Sequence, residues 1–269
     1  MRFVLSRRAP NSISQIVNGW RDLLFNKLKT AAADATGQTP RRILLSNSFF
    51  FAQLAETTDQ YSHSNVARWF SSKRLQQEYG HAFRSIFDFR RQFFLWNSNR
   101  NHWLVVMIDF EQHRIRYYDS LRNDCQIYRN NFEACCLAPH CVARVRVCAC
   151  VRVCVCVCVC VDARTFVCVC ACVCVRLCSP KHASYSCASQ VLMRFLGDEA
   201  HLRCSSEFNH REWRMEIADV AQQTSTDCGA FAMQNLADLV FDRPLQIMAS
   251  NAFYFRRKIA AQLLEKSIH

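Results

Sequence analysis

The chain has no uncharged apolar stretch of about 18 or more residues, the length a membrane helix requires. Its opening, Met1 to Pro10, has no apolar core of the length a secretory signal uses. Together these absences lead to the expectation of a soluble, intracellular protein. Acidic residues are scarce as well: 22 Asp and Glu face 34 Lys and Arg, for a net charge of +12. A basic surface of this size suits an acidic protein partner, weak nucleic-acid contact or plain solvation, and charge alone does not choose among them. In a reducing compartment, the 18 cysteines do not imply a disulfide framework.

At 269 residues the chain fits one domain, or one domain plus an insertion, and can bury a sizeable core. Its 51% hydrophobic content is inflated by one tract. Twelve of the 18 Cys lie between Cys141 and Cys178, together with five Arg and one Asp. From Ala143 onward, odd positions are Val or Ala, except Thr165 and Leu177. Even positions are Cys or Arg, except Asp162 and Phe166. Three accounts compete. Strict alternation is a strand pattern that would put the thiols on one face. Repeated Cys-x-Cys spacing can bind soft metals. A translated GT repeat reads as Val-Cys, and single T-to-C changes give Arg from TGT and Ala from GTG. The third account predicts both the alphabet and the phase of the substitutions, and the other two predict neither. Translated, such a segment is an aggregation hazard.

Elsewhere the pattern predicts an α+β class. Ile13, Ile16, Val17, Trp20, Leu23, Leu24 and Leu28 are spaced for one helix face within residues 12–29. A polar linker covers 34–42, and 43–54 begins as a short strand. Residues 64–77 read as one helix with Val66, Trp69, Phe70 and Leu75 inward, and 83–96 ends in a strand. Residues 103–110 and 113–119 form a hairpin about a polar turn near Glu111. Further helices are expected at 188–195, 230–240 and 255–266, and a strand at 213–220.

The hairpin carries chemistry. A turn centred near Glu111 places His102 opposite Asp119 or Ser120, and directly opposed side chains start roughly 4.5–5.5 Å apart at Cβ. A carboxylate on one imidazole nitrogen fixes the tautomer and favours the charged ring. A second element is Gln222 to Gly229, a polar loop entering a helix with Cys228 at its first turn. Unpaired N–H groups and the positive dipole end there favour a thiolate. The same N–H groups can hold an oxyanion. Gly229 is expected to allow close backbone packing, and Asp227 or Thr226 to cap the helix.

Several motifs occur in one order: Ser46-Asn-Ser-Phe-Phe-Phe51, Arg68-Trp69, Asn101-His102-Trp103, Tyr117-Tyr-Asp119-Ser-Leu121, Gln222 six residues before the cysteine, Asp227-Cys228-Gly229 and Arg256-Arg257. In this the chain resembles the ubiquitin-like-protein-specific proteases, which include the SUMO (sentrin-specific) proteases. The resemblance implies a papain-like fold with permuted His–Asp–Cys order. It implies Cys228 as nucleophile, His102 as base and then acid, Asp119 as its orienting partner, and Gln222 with the Cys228 N–H as oxyanion donors. It also implies Trp103 as the roof of a narrow channel for a Gly-Gly tail. Asn11-Ser12-Ile13 aligns with the end of the family's opening Trp-Leu-Asn-Asp stretch with no Trp before it, so a truncated or misassigned N-terminal edge is expected.

The expected organisation is one catalytic domain over 1–269 carrying the 141–178 insertion. The expected activity is a SUMO-specific cysteine peptidase without cofactor or metal, since a thiolate–imidazole pair needs neither. Expected partners are SUMO or a related modifier and its conjugates, with no specific nucleic acid and no membrane span. The implied location is nucleus or cytoplasm. The other readings are a protease for a Nedd8-like protein or ubiquitin, an inactive modifier-binding module, and a metal-binding protein using the Cys-rich tract.

Overall fold

The computed structural model describes residues 12–34, 42–54, 61–80, 82–98, 102–121, 159–162, 165–167, 180–205, 207–224 and 226–268. Its centre is a five-stranded sheet in the order β1 (Ile43–Leu45), β2 (Arg91–Ser98), β3 (His102–Asp109), β4 (Arg114–Tyr118), β7 (Arg214–Ile217). The three middle strands are antiparallel, and β1 and β7 add in parallel at the edges. Parallel edges need crossovers, and helices supply both of them on one face, that of the second core described below.

That arrangement explains why β3 reads as a near-continuous apolar run. Trp103, Val105 and Met107 face one core, with Phe93, Leu95 and Tyr118. Leu104, Val106 and Ile108 face the other, with Phe94, Trp96 and Tyr117. A strand buried on both sides loses the alternation of a half-solvated one. The first core is covered by α1 (Ser12–Asp34), α6 (Cys228–Val240) and α7 (Ala252–Glu265). The second is covered by α2 (Phe50–Leu54), α3 (Ser64–Ala67), α4 (Ser72–Tyr79) and α5 (Pro180–Glu199).

Helix α1 departs in part from its expected face. Val17, Trp20, Leu24 and Leu28 are buried, but Ile13 is 55% and Ile16 47% exposed. Ile13 lies in the first turn of the helix, and Ile16 lies off the stripe's axis at helical periodicity. The helix expected over 64–77 is two helices. A 3₁₀ turn, Arg68–Phe70, follows α3, and Ser71 is extended at φ −62°, ψ 143°. The Ser71 hydroxyl donates to the Arg68 carbonyl at 3.1 Å, the local competition for backbone groups that makes serine a helix boundary. Trp69, expected inward, is half-buried at this break.

Residues 159–162 and 165–167 of the Val/Cys tract form an antiparallel pair, β5 and β6, separate from the main sheet. The rest of the tract lies outside the described residues, as does the 34–42 linker beyond its ends, so the alternative account of a thiolate metal cluster falls there too.

Candidate active site

Helix α6 is buried on nearly every side and packs across β3. Ala230, Phe231, Met233, Leu236 and Val240 join the core that holds Trp103 and Val105. This packing brings the N-terminal end of α6, where Cys228 stands, to the start of β3, where His102 stands. Cys228 is a free, half-buried cysteine.

Asp227 occupies the N-cap position, but its side chain makes no cap hydrogen bond. Its carboxylate instead accepts from Arg256 Nη1 of α7 at 2.9 Å. The expected side-chain cap is therefore absent at Asp227, because a guanidinium competes for the carboxylate more strongly than a neutral N–H does. The first-turn N–H groups of α6 are left for another acceptor. The expected need for a bare backbone at Gly229 is not steric either. A β-carbon there would stand 4.0 Å from Trp103 Cδ1, an ordinary contact.

The hairpin places the other two groups. Its ladder pairs Val105 with Tyr118 and Asp109 with Arg114. Extended past its last pair, this register sets Asp119 opposite Leu104 and His102 opposite Leu121. The register is thus one residue longer than expected, and His102 meets Asp119 on the diagonal. Diagonal neighbours still reach each other when one side chain is long. His102 Nε2 and Asp119 Oδ1 are 2.6 Å apart. Asp119, 5% exposed, also accepts from the Leu121 N–H at 2.8 Å through the same oxygen.

With Nε2 committed, Nδ1 is the ring nitrogen left for the thiol. It is buried and has no hydrogen-bond partner of ordinary geometry. The two groups nevertheless shift each other's proton affinity. Burial pulls the His102 pKa down, but the Asp119 bond and the adjacent Cys228 outweigh it and push the imidazole up to about 9. Burial pushes the Cys228 thiol up, but His102 and the Trp103 and Gly229 backbone N–H groups outweigh it and hold the thiol below its usual value. Opposite shifts of this kind favour thiolate beside imidazolium, a nucleophile with its proton already on the future acid.

Gln222 is exposed, and its Nε2 donates to the Val220 carbonyl at 2.9 Å. A primary amide has a second N–H to give. The described contacts join Cys228, His102 and Asp119, whereas that of Gln222 runs to its own loop. Trp103 is 5% exposed and sits in the core with its ring edge toward Gly229. Two ties were not anticipated from the sequence: the Asp227–Arg256 ion pair, and a pair of hydrogen bonds between Ser120 and Gln223. The Arg256-Arg257 motif was a signal for the first, and the adjacency of Gln223 to Gln222 the only signal for the second. Among the described residues, no group of three or more His, Cys, Asp or Glu side chains could hold a metal ion.

A family model described as the Ulp1 protease family, C-terminal catalytic domain, matches residues 16–144 and 154–268. The chain belongs to that family. Its members are cysteine peptidases of the ubiquitin-like-protein-specific class. The break in the match, residues 145–153, falls inside the Val/Cys tract. No curated protein matches in sequence. Among solved structures, the chain is similar to the C-terminal Ulp1 protease domain in complex with Smt3, the yeast ortholog of SUMO. The TM-score is 0.54 and the identity 19%, over 97% of this chain and 79% of that one. It is also similar to SUMO protease Ulp1 with its catalytic cysteine oxidised to a sulfonic acid, at TM-score 0.52 and 18% identity over 97% and 80%. A third is the catalytic domain of the Chaetomium thermophilum Ulp1-like SUMO protease, at TM-score 0.52 and 14% identity over 95% and 73%. These likenesses establish the papain-like α+β fold.

Proposed function

We propose that the chain is a cysteine isopeptidase and processing endopeptidase that cleaves after the C-terminal Gly-Gly of SUMO. The observation that carries the reading is the 2.6 Å bond from His102 to Asp119 beside a cysteine whose thiol is held below its usual pKa. The Cys228 thiolate attacks the carbonyl of the last glycine, and the C=O electron pair moves to oxygen. The Gln222 amide and the Cys228 N–H stabilise that oxyanion. His102, protonated at Nδ1, gives its proton to the leaving lysine amine as the C–N bond breaks. A water then attacks the thioester, His102 takes its proton, and the thiolate departs. Asp119 holds the ring in the orientation both steps use. On this reading Trp103 roofs the narrow channel that takes the Gly-Gly tail.

SUMO is favoured over other modifiers by the described activities of the similar structures. The catalytic unit on this reading spans the chain as one domain carrying the 141–178 insertion, acting in nucleus or cytoplasm. The test is labelling of the full-length chain by SUMO, Nedd8-like and ubiquitin probes ending in Gly-vinyl sulfone. SUMO should label the protein once, and Cys228→Ala should abolish labelling. No labelling of folded protein sinks the catalytic reading, and preferential labelling by another probe moves the substrate to that modifier.

A further inference from the structure

Among the described residues, the loop that carries Gln222 has no regular structure between β7 and Cys228. Gln222 must nevertheless hold its amide close to one point if it is to meet an oxyanion. Donors act only at roughly 2.7–3.1 Å from the developing charge. A displacement of about 1 Å can cost on the order of 100-fold in rate. The bond from Gln222 to Val220 is local, so it shapes the side chain without fixing it relative to Cys228 or His102.

The neighbouring residue supplies the missing constraint. The Gln223 N–H donates to the Ser120 carbonyl at 2.9 Å. The Ser120 hydroxyl donates back to Gln223 Oε1 at 2.6 Å. Ser120 is 2% exposed and directly follows Asp119, and Gln223 directly follows Gln222. The ladder of β4 with β7 ends at Tyr117–Ile217, and the Ala218 N–H still reaches the Tyr117 carbonyl at 2.9 Å. The next described backbone bond from this loop to the hairpin is the one at Gln223. Burial makes it effective: a buried hydroxyl that loses its acceptor goes unsatisfied, so the clamp resists opening more than an exposed pair would.

We propose that Ser120 and Gln223 form a positioning clamp for the reaction. It joins the residue beside the orienting carboxylate to the residue beside the oxyanion donor, so that both are held in one frame. Neither residue touches the reacting atoms; each acts through its neighbour. The proposal rests on the reading of Gln222 as an oxyanion donor.

The experiment uses the full-length chain and the C-terminal aminocoumarin conjugates of SUMO, a Nedd8-like protein and ubiquitin. Values of kcat and KM are measured for wild type, Gln223→Ala, Ser120→Ala, the double variant and Gln223→Glu. Cys228 alkylation by iodoacetamide is followed in parallel across pH by peptide mass spectrometry, with Tm for each variant. Gln223→Ala should lower kcat on the order of 10-fold, because an oxyanion donor is misplaced rather than removed, and should leave KM and the alkylation profile as in wild type. The double variant should be no slower than the slower single variant, the signature of one shared interaction. Gln223→Glu keeps both the N–H and an acceptor oxygen and should restore most of kcat. Unchanged kcat in Gln223→Ala overturns the clamp. So does a fall in kcat that comes with equal loss of alkylation and of Tm, which would mark general loss of structure. Absence of any Cys228-dependent turnover in wild type overturns the underlying reading, and the clamp with it, before any variant at Gln223 is made.

Discussion

At the scale of single residues, the site depends on how far a side chain can reach. His102 and Asp119 were placed near each other by the hairpin alone, with a register one residue too short. The error did little harm because Asp119 lies just past the ladder and the imidazole spans the diagonal to it. Cys228 was legible for a different reason: a polar loop running into an apolar helical stripe marks a helix start wherever it occurs. Ser120–Gln223 and Asp227–Arg256 were not legible, because each joins segments whose meeting is decided by packing between distant elements. The proton shifts yield a prediction at this scale. The kcat/KM profile should rise on the acid side through a Cys228 value below the ordinary thiol range. It should fall on the alkaline side near 9, where the His102 imidazolium loses its proton. These limbs belong to the coupled pair rather than to either group alone. Asp119→Asn removes the bond and the charge that raise His102, so the alkaline limb should move to lower pH. By analogy with the Ser-His-Asp triad, kcat should drop on the order of 10,000-fold. A pH–rate profile of the variant that overlays the wild type would remove Asp119 from the mechanism.

At the scale of elements, sequence pattern worked best where one face is buried and worst where local hydrogen bonding competes. The stripe of Val17, Trp20, Leu24 and Leu28 on α1 was readable. The division of 64–77 at Ser71 was not, since a hydroxyl bonding to a carbonyl three residues back leaves no trace in an apolar period. The doubled core of β3 was visible only as an unbroken run, which does not say which residue faces which layer. Helix α1 shows how one element stabilises the site indirectly. Trp20 is 1% exposed, and its indole N–H reaches Gln262 Oε1 of α7 at 3.4 Å. It sits in the core shared with α6, the helix that presents Cys228. Trp20→Ala should cost about 3–5 kcal/mol in urea unfolding, by loss of burial and creation of a cavity. Surviving folded enzyme should lose little kcat, since no reacting group is touched.

At the scale of the whole molecule, the Val/Cys tract falls in chain order between β4 and α5. The family match is interrupted within the tract, at residues 145–153. Replacing 143–178 with a short polar linker should leave kcat/KM essentially unchanged and improve solubility. Because loop closure varies only with the logarithm of length, stability should change by less than about 1 kcal/mol. A large loss of activity in that variant would make the tract part of the enzyme, and sequencing the mature transcript across it would show whether it is translated. The parallel pairing of β4 with β7 has a consequence in time as well. On the ribosome, Tyr118 precedes Arg214 by 96 positions, so the outer edge of β4 waits roughly 5–20 s for its partner at ordinary elongation rates. What emerges during that interval is the alternating Val/Cys sequence, rich in strand-forming residues. The nascent chain therefore presents an unpaired edge alongside a strongly edge-seeking segment, and Cys228 is made only after that segment has emerged.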